Sequence, residues 1–549
     1  MNKALLGKHR IALCLIPIYS LVFLVIFLNK AFPFHLTQPD PCYVYLFNGM
    51  NLAGGHWEVG HTDHPGTTVQ VFAALVIFIR HLFTSPHTLL YQDVILNPEN
   101  YLLACSIILI SLFVSVNYLT GAYVLRHSGN ISTAMLFQMV PLIQINIIQR
   151  TVLLNPEAFI TICSSFFMAY LYVHFIKDKT DPEYRQRNTT LTVSIFSAFL
   201  IATKYTCIPV VFLVLFLLKG RKDRLKYLAM LLIGFFVFII PALPKFNIMF
   251  GWIWNLLTHD GIYGKGQERI INPSQFIANL KGIFITDAVF TSMYGVITLG
   301  FLTAIVQMAR RKASPLAQAA IGVWLSITAL ITAVAKHCDF HYLIFAECCF
   351  PLGLYIAYKV ITYAALPLIS EFKRHEKQLL WGFFGALLIF LVIEKIRYIP
   401  MRHPKYSGAD KCFANYKSAP LIISVNGSMA CERKEPALYL GYMYSGALQS
   451  TYAAFLNKIY PDTYILWDTS RPLTHWSESA PIADVLDKNR ESLLYLKGYS
   501  DTVQEGIAAG LSKLCNKKES SETTFQEIYK DAPTMQAVYL IHHANPDLH

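Results

Sequence analysis

The chain has 549 residues, 54% hydrophobic and only 15% charged, with a mean hydropathy of +0.41. That balance excludes an ordinary water-soluble enzyme and a disordered chain. The net charge is +12, but the basic residues stand in short clusters between apolar runs, as cytoplasmic loops do, so no nucleic-acid partner is expected.

The apolar runs recur through the first four hundred residues, and each is long enough to cross a hydrocarbon layer of ~30 Å. Period-two alternation, the mark of a membrane barrel, is missing. The expected fold is therefore a polytopic α-helical membrane protein. The first run, 11–29, follows Lys3, Lys8 and Arg10. It has no small-residue cleavage site, so it reads as a retained span with its N-terminus in the cytoplasm.

The stretch PDPCYVYLFNGMNLAGGHWEVGHTDHPGTTVQ then begins a large outer loop, 30–100. It carries an early carboxylate, Asp40, and a polar knot around His61, Asp63 and His64. The run 66–82 is short and is punctuated by Arg80 and His81. It reads as an interfacial helix, because counting it as a crossing would put every later basic cluster outside. Further spans are expected at 101–125, 131–149, 157–176, 189–203, 206–219, 226–243, 285–308, 315–335, 342–365 and 379–397, eleven in all with the first. Spans 189–203 and 206–219 make a tight outer hairpin at Lys204–Tyr205, and 244–284 is a long outer loop.

From about Arg402 the composition becomes mixed and charged. LIISVNG and TYILWDT read as strands. EPALYLGYMYSGALQSTYAAFLNKIY reads as a helix interrupted at glycine, and PIADVLDKNRESLLYL as an amphipathic helix. Two domains are expected: a membrane domain over 1–400 and an outer α/β domain over 401–549. Most of the eleven cysteines lie inside spans, with no CxxC and no zinc spacing. An oxidising compartment permits one disulfide in the outer domain, Cys412–Cys431 being a candidate.

On the outer side this topology gathers Asp40, Asp63 and His64, then Asn155 and Glu157, Lys204, the loop residues His259, Asp260, Tyr263, Lys265 and Arg269, and finally Asp339, His341 and Tyr342. A carboxylate with several cations suits an anionic, phosphate-bearing substrate. Each residue also has a plainer reading. Asp40 serves as a loop acid, Glu157 as a first-turn acid favoured by the helix dipole, Lys204 as a snorkelling lysine, and His341-Tyr342 as part of an interfacial aromatic belt. HDGIYGKG reads equally as a flexible loop, with Lys265 and Arg269 solvated. The His-x-Asp-His cluster lacks a third marked ligand, so a divalent metal is possible but not favoured, and no cofactor is assigned.

The order of these features resembles the GT-C membrane glycosyltransferases, with a layout similar to protein O-mannosyltransferases and the lipid A aminoarabinose transferase. The resemblance covers roughly residues 11–397. It rests on the loop-one acid, TDHPGTT, ATKYTCIP at the hairpin and HYLIFAECCFPLGL opening a late span. It implies a polyprenyl-phosphate-linked sugar as donor, a glycan, lipid or protein hydroxyl as acceptor, and Asp40 as general base. Asp63 and His64 within TDHPGTT, Lys204, His341 and Tyr342 then contact substrate; Lys265 and Arg269 are added as substrate-binding candidates on the charge pattern, not on the resemblance. Many members carry a second acid beside the first in loop one; here Pro41 and Cys42 follow Asp40, which weakens any metal requirement. A bacterial inner membrane with a periplasmic active face is expected. The alternative is a transporter or flippase of lipid-linked sugars; charges at one face and no internal repeat argue for the enzyme.

Overall fold

A computed structural model describes residues 7–177, 182–310, 314–337, 339–365, 389, 393, 408–426, 429–467, 471–515 and 522–544. Apart from residues 389 and 393, the expected span 379–397 lies outside the described residues. Among the described residues seven helices are long and apolar enough to cross a membrane, or up to nine if two bent pairs each count as one span. By length and composition these helices suit a multi-pass membrane protein. The helix Thr67–Thr84, read above as interfacial, is one of the seven.

Helices long and apolar enough to cross stand at six of the expected positions: Arg10–Ala31, Pro98–Ser128, Pro156–Ile176, Ala288–Ala309, Pro315–Lys336 and Phe340–Thr362. Three expectations change. The run 131–149 is a bent pair, Ile131–Leu142 and Ile145–Thr151, at 74°. The run 226–243 ends earlier, and Arg221–Phe238 turns by 80° into Ile240–Thr258. Prolines 241 and 244 account for that bend, because each removes a helix donor. The hairpin at Lys204–Tyr205 is not a simple pair. Helix Pro182–Thr203 packs on Arg221–Phe238, whereas Val210–Leu217 packs on Pro315–Lys336.

The contacts divide the chain into two compact units. One holds Met1–Leu28, Thr62–Val71 and Cys105–Met401; the other holds Asn29–His61, Phe72–Ala104 and Arg402–His549. The chain passes from the first to the second at Met401–Arg402, and much of loop one groups with the C-terminal region.

In this second unit loop one is largely helical, with Phe34–Thr37, Pro39–Ala53 and Leu90–Leu96. Glu99 ties it together. Its carboxylate accepts from the backbone N–H of Phe34 (2.7 Å) and His35 (2.9 Å), from Tyr43 Oη (2.8 Å), and meets His35 Nδ1 at 2.9 Å. Asn48 Nδ2 donates to Tyr444 O at 2.9 Å, and Tyr452 Oη donates to Asn51 Oδ1 at 2.7 Å. Gly441 faces Phe47 so closely that a Cβ there would stand 2.4 Å from the ring. Asp93 accepts from Tyr101 and pairs with His81 at 3.2 Å. Burial would raise the Asp93 pKa, but those hydrogen bonds outweigh it and hold the carboxyl below its ordinary value.

The C-terminal region carries one seven-stranded sheet: β1 (Leu421–Val425), β2 (Thr463–Ile465), β3 (Leu473–His475), β4 (Glu478–Ala480), β5 (Glu491–Lys497), β6 (Glu522–Asp531) and β7 (Gln536–Ala544), in the order β4-β3-β2-β1-β5-β7-β6. β1 runs parallel to β2 and β5, and the remaining pairs are antiparallel. Both predicted strands form. The predicted glycine-interrupted helix is two helices, Glu435–Met443 and Gln449–Ile459, broken near Gly446 at positive φ. The predicted amphipathic helix PIADVLDKNRESLLYL is corrected. Only Ile482–Leu486 is helical, and ESLLYL opens central β5. Five consecutive residues there are buried, as an interior strand covered on both faces requires. The candidate disulfide is also corrected. Cys412 and Cys431 are free thiols, and Cys431 Sγ donates to Arg433 O at 3.1 Å.

Candidate functional site

The charged residues of the first unit converge at the start of helix Pro156–Leu171. Asn155 caps that helix, its side chain accepting from Ala158 N at 2.9 Å, and Pro156 occupies the first turn, where a missing N–H costs nothing. Glu157 follows, buried at 3% exposure. A first-turn acid favours the helix dipole, but the dipole alone does not balance a buried carboxylate.

Its counter-charge comes from the turn after helix Pro182–Thr203. Lys204 is extended there, which breaks the helix and aims the side chain inward. It is buried at 5% exposure, its Nζ donates to Glu157 Oε1, and the ammonium stands 4.3 Å from the Tyr342 ring centroid. The cation thus has a carboxylate on one side and an aromatic face on the other.

The third contribution is HYLIFAECC. Asp339 caps a short turn over Phe340–Leu343. His341 lies between two carboxylates, with Nδ1 2.6 Å from Asp339 Oδ1 and Nε2 3.7 Å from Glu157 Oε1. Burial would raise the Asp339 pKa; the hydrogen bond and charge of His341 prevail and hold it below the ordinary value. Arg150 adds a positive field at both carboxylates.

TDHPGTT is fastened beside this cluster. Thr68 Oγ1 and Thr203 Oγ1 are 2.7 Å apart, one residue before Lys204, and Thr67 Oγ1 donates to Phe238 O at 2.7 Å. Asp63 and His64 are half-buried in the same segment.

The expected outer loop 244–284 is mostly ordered helix, Phe246–Thr258 and Pro273–Thr286. Between them lies a tight turn in which Gly266 N donates to Asp260 O (2.7 Å), Gln267 N donates to Asp260 Oδ1 (2.7 Å), and Arg269 pairs with Asp260. Tyr263, at φ 58°, hydrogen-bonds Tyr342 and so joins the turn to the cluster. Lys336 Nζ donates to Leu256 O (2.6 Å) and Leu257 O (2.8 Å), capping the end of helix Phe246–Thr258. Lys265 is exposed.

The hydrogen bond from Arg269 holds the Asp260 carboxyl below its ordinary pKa, which sets a pH dependence. A depressed folded pKa contributes stability above the unfolded value, near 3.8, and loses it as pH falls through the folded value. Amide protection at residues 260–269 is therefore expected to fall at pH below about 4, and Asp260→Asn is expected to remove that acid step. Unchanged protection between pH 6 and pH 3 would contradict this reading.

Of the residues singled out from the sequence, Lys204, His341 and Tyr342 meet directly. Asp63 and His64 sit on a segment stitched to Thr203. Arg269 is engaged by Asp260, and Lys265 stands on the neighbouring turn. Asp40 is exposed and belongs to the other unit. Glu157, read mainly as a cap, is the centre of the cluster. Asn-Pro-Glu opening an apolar run marked the cap, but nothing local marked its partner 47 residues away. Among the described residues no group of three or more His, Cys, Asp or Glu is placed to hold a metal ion. Neither a family model nor a curated protein sequence matches the chain.

Proposed function

We propose that this protein is an integral-membrane glycosyltransferase that moves a sugar from a polyprenyl-phosphate donor to an acceptor hydroxyl. The observation that carries the reading is the buried Lys204–Glu157 pair with half-buried His341 beside it at the ends of apolar helices, and TDHPGTT fastened to the residue before Lys204. Ionised groups are costly in such a place and mark function rather than packing. The reading places the cluster on the periplasmic face of a bacterial inner membrane, within a GT-C-like arrangement.

The chemistry is a displacement at the anomeric carbon. The acceptor oxygen bonds to that carbon, the bond to the phosphate oxygen breaks, and lipid phosphate leaves with the electron pair. Negative charge grows on that phosphate, and Lys204 and His341 are the cations set to meet it. Glu157 holds both in place. Lys265, on the neighbouring turn, supplies a further cation. A base must take the acceptor proton. Asp40 is assigned that role on the resemblance alone, so it is the residue to test.

The experiment is transfer of radiolabelled sugar from a polyprenyl-phosphate donor to membrane acceptors. Asp40→Asn is expected to lower the rate by ~10²–10⁴ with the fold retained. Full activity in folded Asp40→Asn protein would remove the base assignment. A second reading, a flippase of lipid-linked sugars, draws on the two sharply bent helix pairs, since transporters use broken helices. Lipid-linked sugar crossing the bilayer with no glycosidic product would favour it.

A further inference from the structure

We infer that helix Phe246–Thr258 is a lipid-surface helix, lying in the headgroup zone of the bilayer with its aromatic stripe in the acyl boundary. The inference rests on the multi-pass reading but is independent of the transferase proposal. Three observations converge. The first is direction. The helix departs from Arg221–Phe238 at 80°. If Arg221–Phe238 crosses the membrane, a helix turned by nearly a right angle runs along its plane.

The second is the distribution of side chains. At about 100° per residue, Phe250, Trp254 and Leu257 fall within one narrow sector. They are 54%, 57% and 60% exposed. Beside them, on the same outward side, fall Asn247 and Asn255, also exposed, and Ile248, 61% exposed, lies just past Asn255. A helix sunk in hydrocarbon presents apolar residues all round its outer side, and a water-facing one presents polar residues there. An outward side that sets two amides among exposed apolar residues suits the boundary between the two. Tryptophan at its centre suits the same depth, because an indole has an apolar ring and one donor.

The third is the opposite side, which is occupied. Met249 is buried, and Trp252 meets the Tyr263 ring at 5.9 Å. The last-turn carbonyls of Leu256 and Leu257 receive Lys336, and His337 reaches Leu256 O at 3.0 Å and Gly261 O at 2.8 Å. The helix is thus pinned on the side of Tyr263 and Tyr342, and the outward stripe is left for a partner. The bilayer fills that place by continuity with the adjoining apolar helices. Lys245, half-buried at the start of the helix, and the exposed Lys265 beyond its end are the cations that headgroup phosphate would meet in this placement.

The test uses the full chain in phospholipid nanodiscs. The emission owed to Trp254 is taken as wild type minus Trp254→Phe. Loss of that emission is expected from lipids brominated high on the acyl chain, with weaker loss from lipids brominated near the chain end and little from aqueous iodide. Leu257→Trp adds a second reporter on the same stripe and is expected to show the same order, which covers failure of the first variant to fold. Dominant loss to iodide would overturn the inference and point to a water-facing loop or a docked protein. Dominant loss to chain-end bromine would overturn it and point to a re-entrant crossing.

Discussion

Replacing Lys204 by methionine is expected to abolish sugar transfer and to destabilise the protein by ~3–5 kcal/mol, because a buried carboxylate is left without its cation. Glu157 would keep His341 at 3.7 Å and the positive field of Arg150. The informative variant is the pair, Lys204→Met with Glu157→Gln. Replacing both charges by neutral groups is expected to return the unfolding midpoint to near wild type, since a buried ion pair adds little over neutral packing. Transfer should stay absent, because the proposed role of Lys204 is to meet growing phosphate charge. If the double variant regains both stability and transfer, the cluster is structural and the site lies elsewhere.

Glu99→Leu carries the next largest expected effect. Four groups lose their acceptor at once: the N–H of Phe34 and of His35, the His35 ring and the Tyr43 hydroxyl. Each orphaned buried donor costs ~1–3 kcal/mol, so amide protection over residues 34–43 is expected to collapse. Glu99→Gln keeps one acceptor oxygen and should lose much less. His35 is also held by Cys431 N, which donates to His35 O at 3.2 Å, so loosening is expected to reach the turn after β1. Hydrogen exchange in detergent or nanodiscs reads the effect. Wild-type protection in the leucine variant would show that Glu99 is not what organises this segment.

Where an element announces itself locally, the sequence was enough. Asn155-Pro156-Glu157 states a helix start through a cap, a proline and a first-turn acid. LIISV and TYI are strands through short β-branched runs. Where one pattern serves two structures, it was not. SLLYL continues the spacing of a helix as well as it fills an interior strand, and only two neighbours, β1 on one side and β7 on the other, select the strand. The run 226–243 was apolar enough to continue, but prolines 241 and 244 end it and turn the chain into a helix where a loop was expected. Loop one looked like a connection between spans, yet its Asn48 and Asn51 side chains bond to Tyr444 and Tyr452 about four hundred residues on.

The sequence by itself determined that the chain carries several apolar runs long enough to cross a membrane, where its basic clusters fall and which residues carry charge near the ends of those runs. These are properties of composition and spacing, and hydrophobic transfer acts on each segment alone. Tertiary structure decided which charges meet. Lys204, Glu157 and His341 come from three separate segments, and Arg269 is taken up by Asp260. A buried charge must find its partner across space, and the distance along the chain carries no information about that choice.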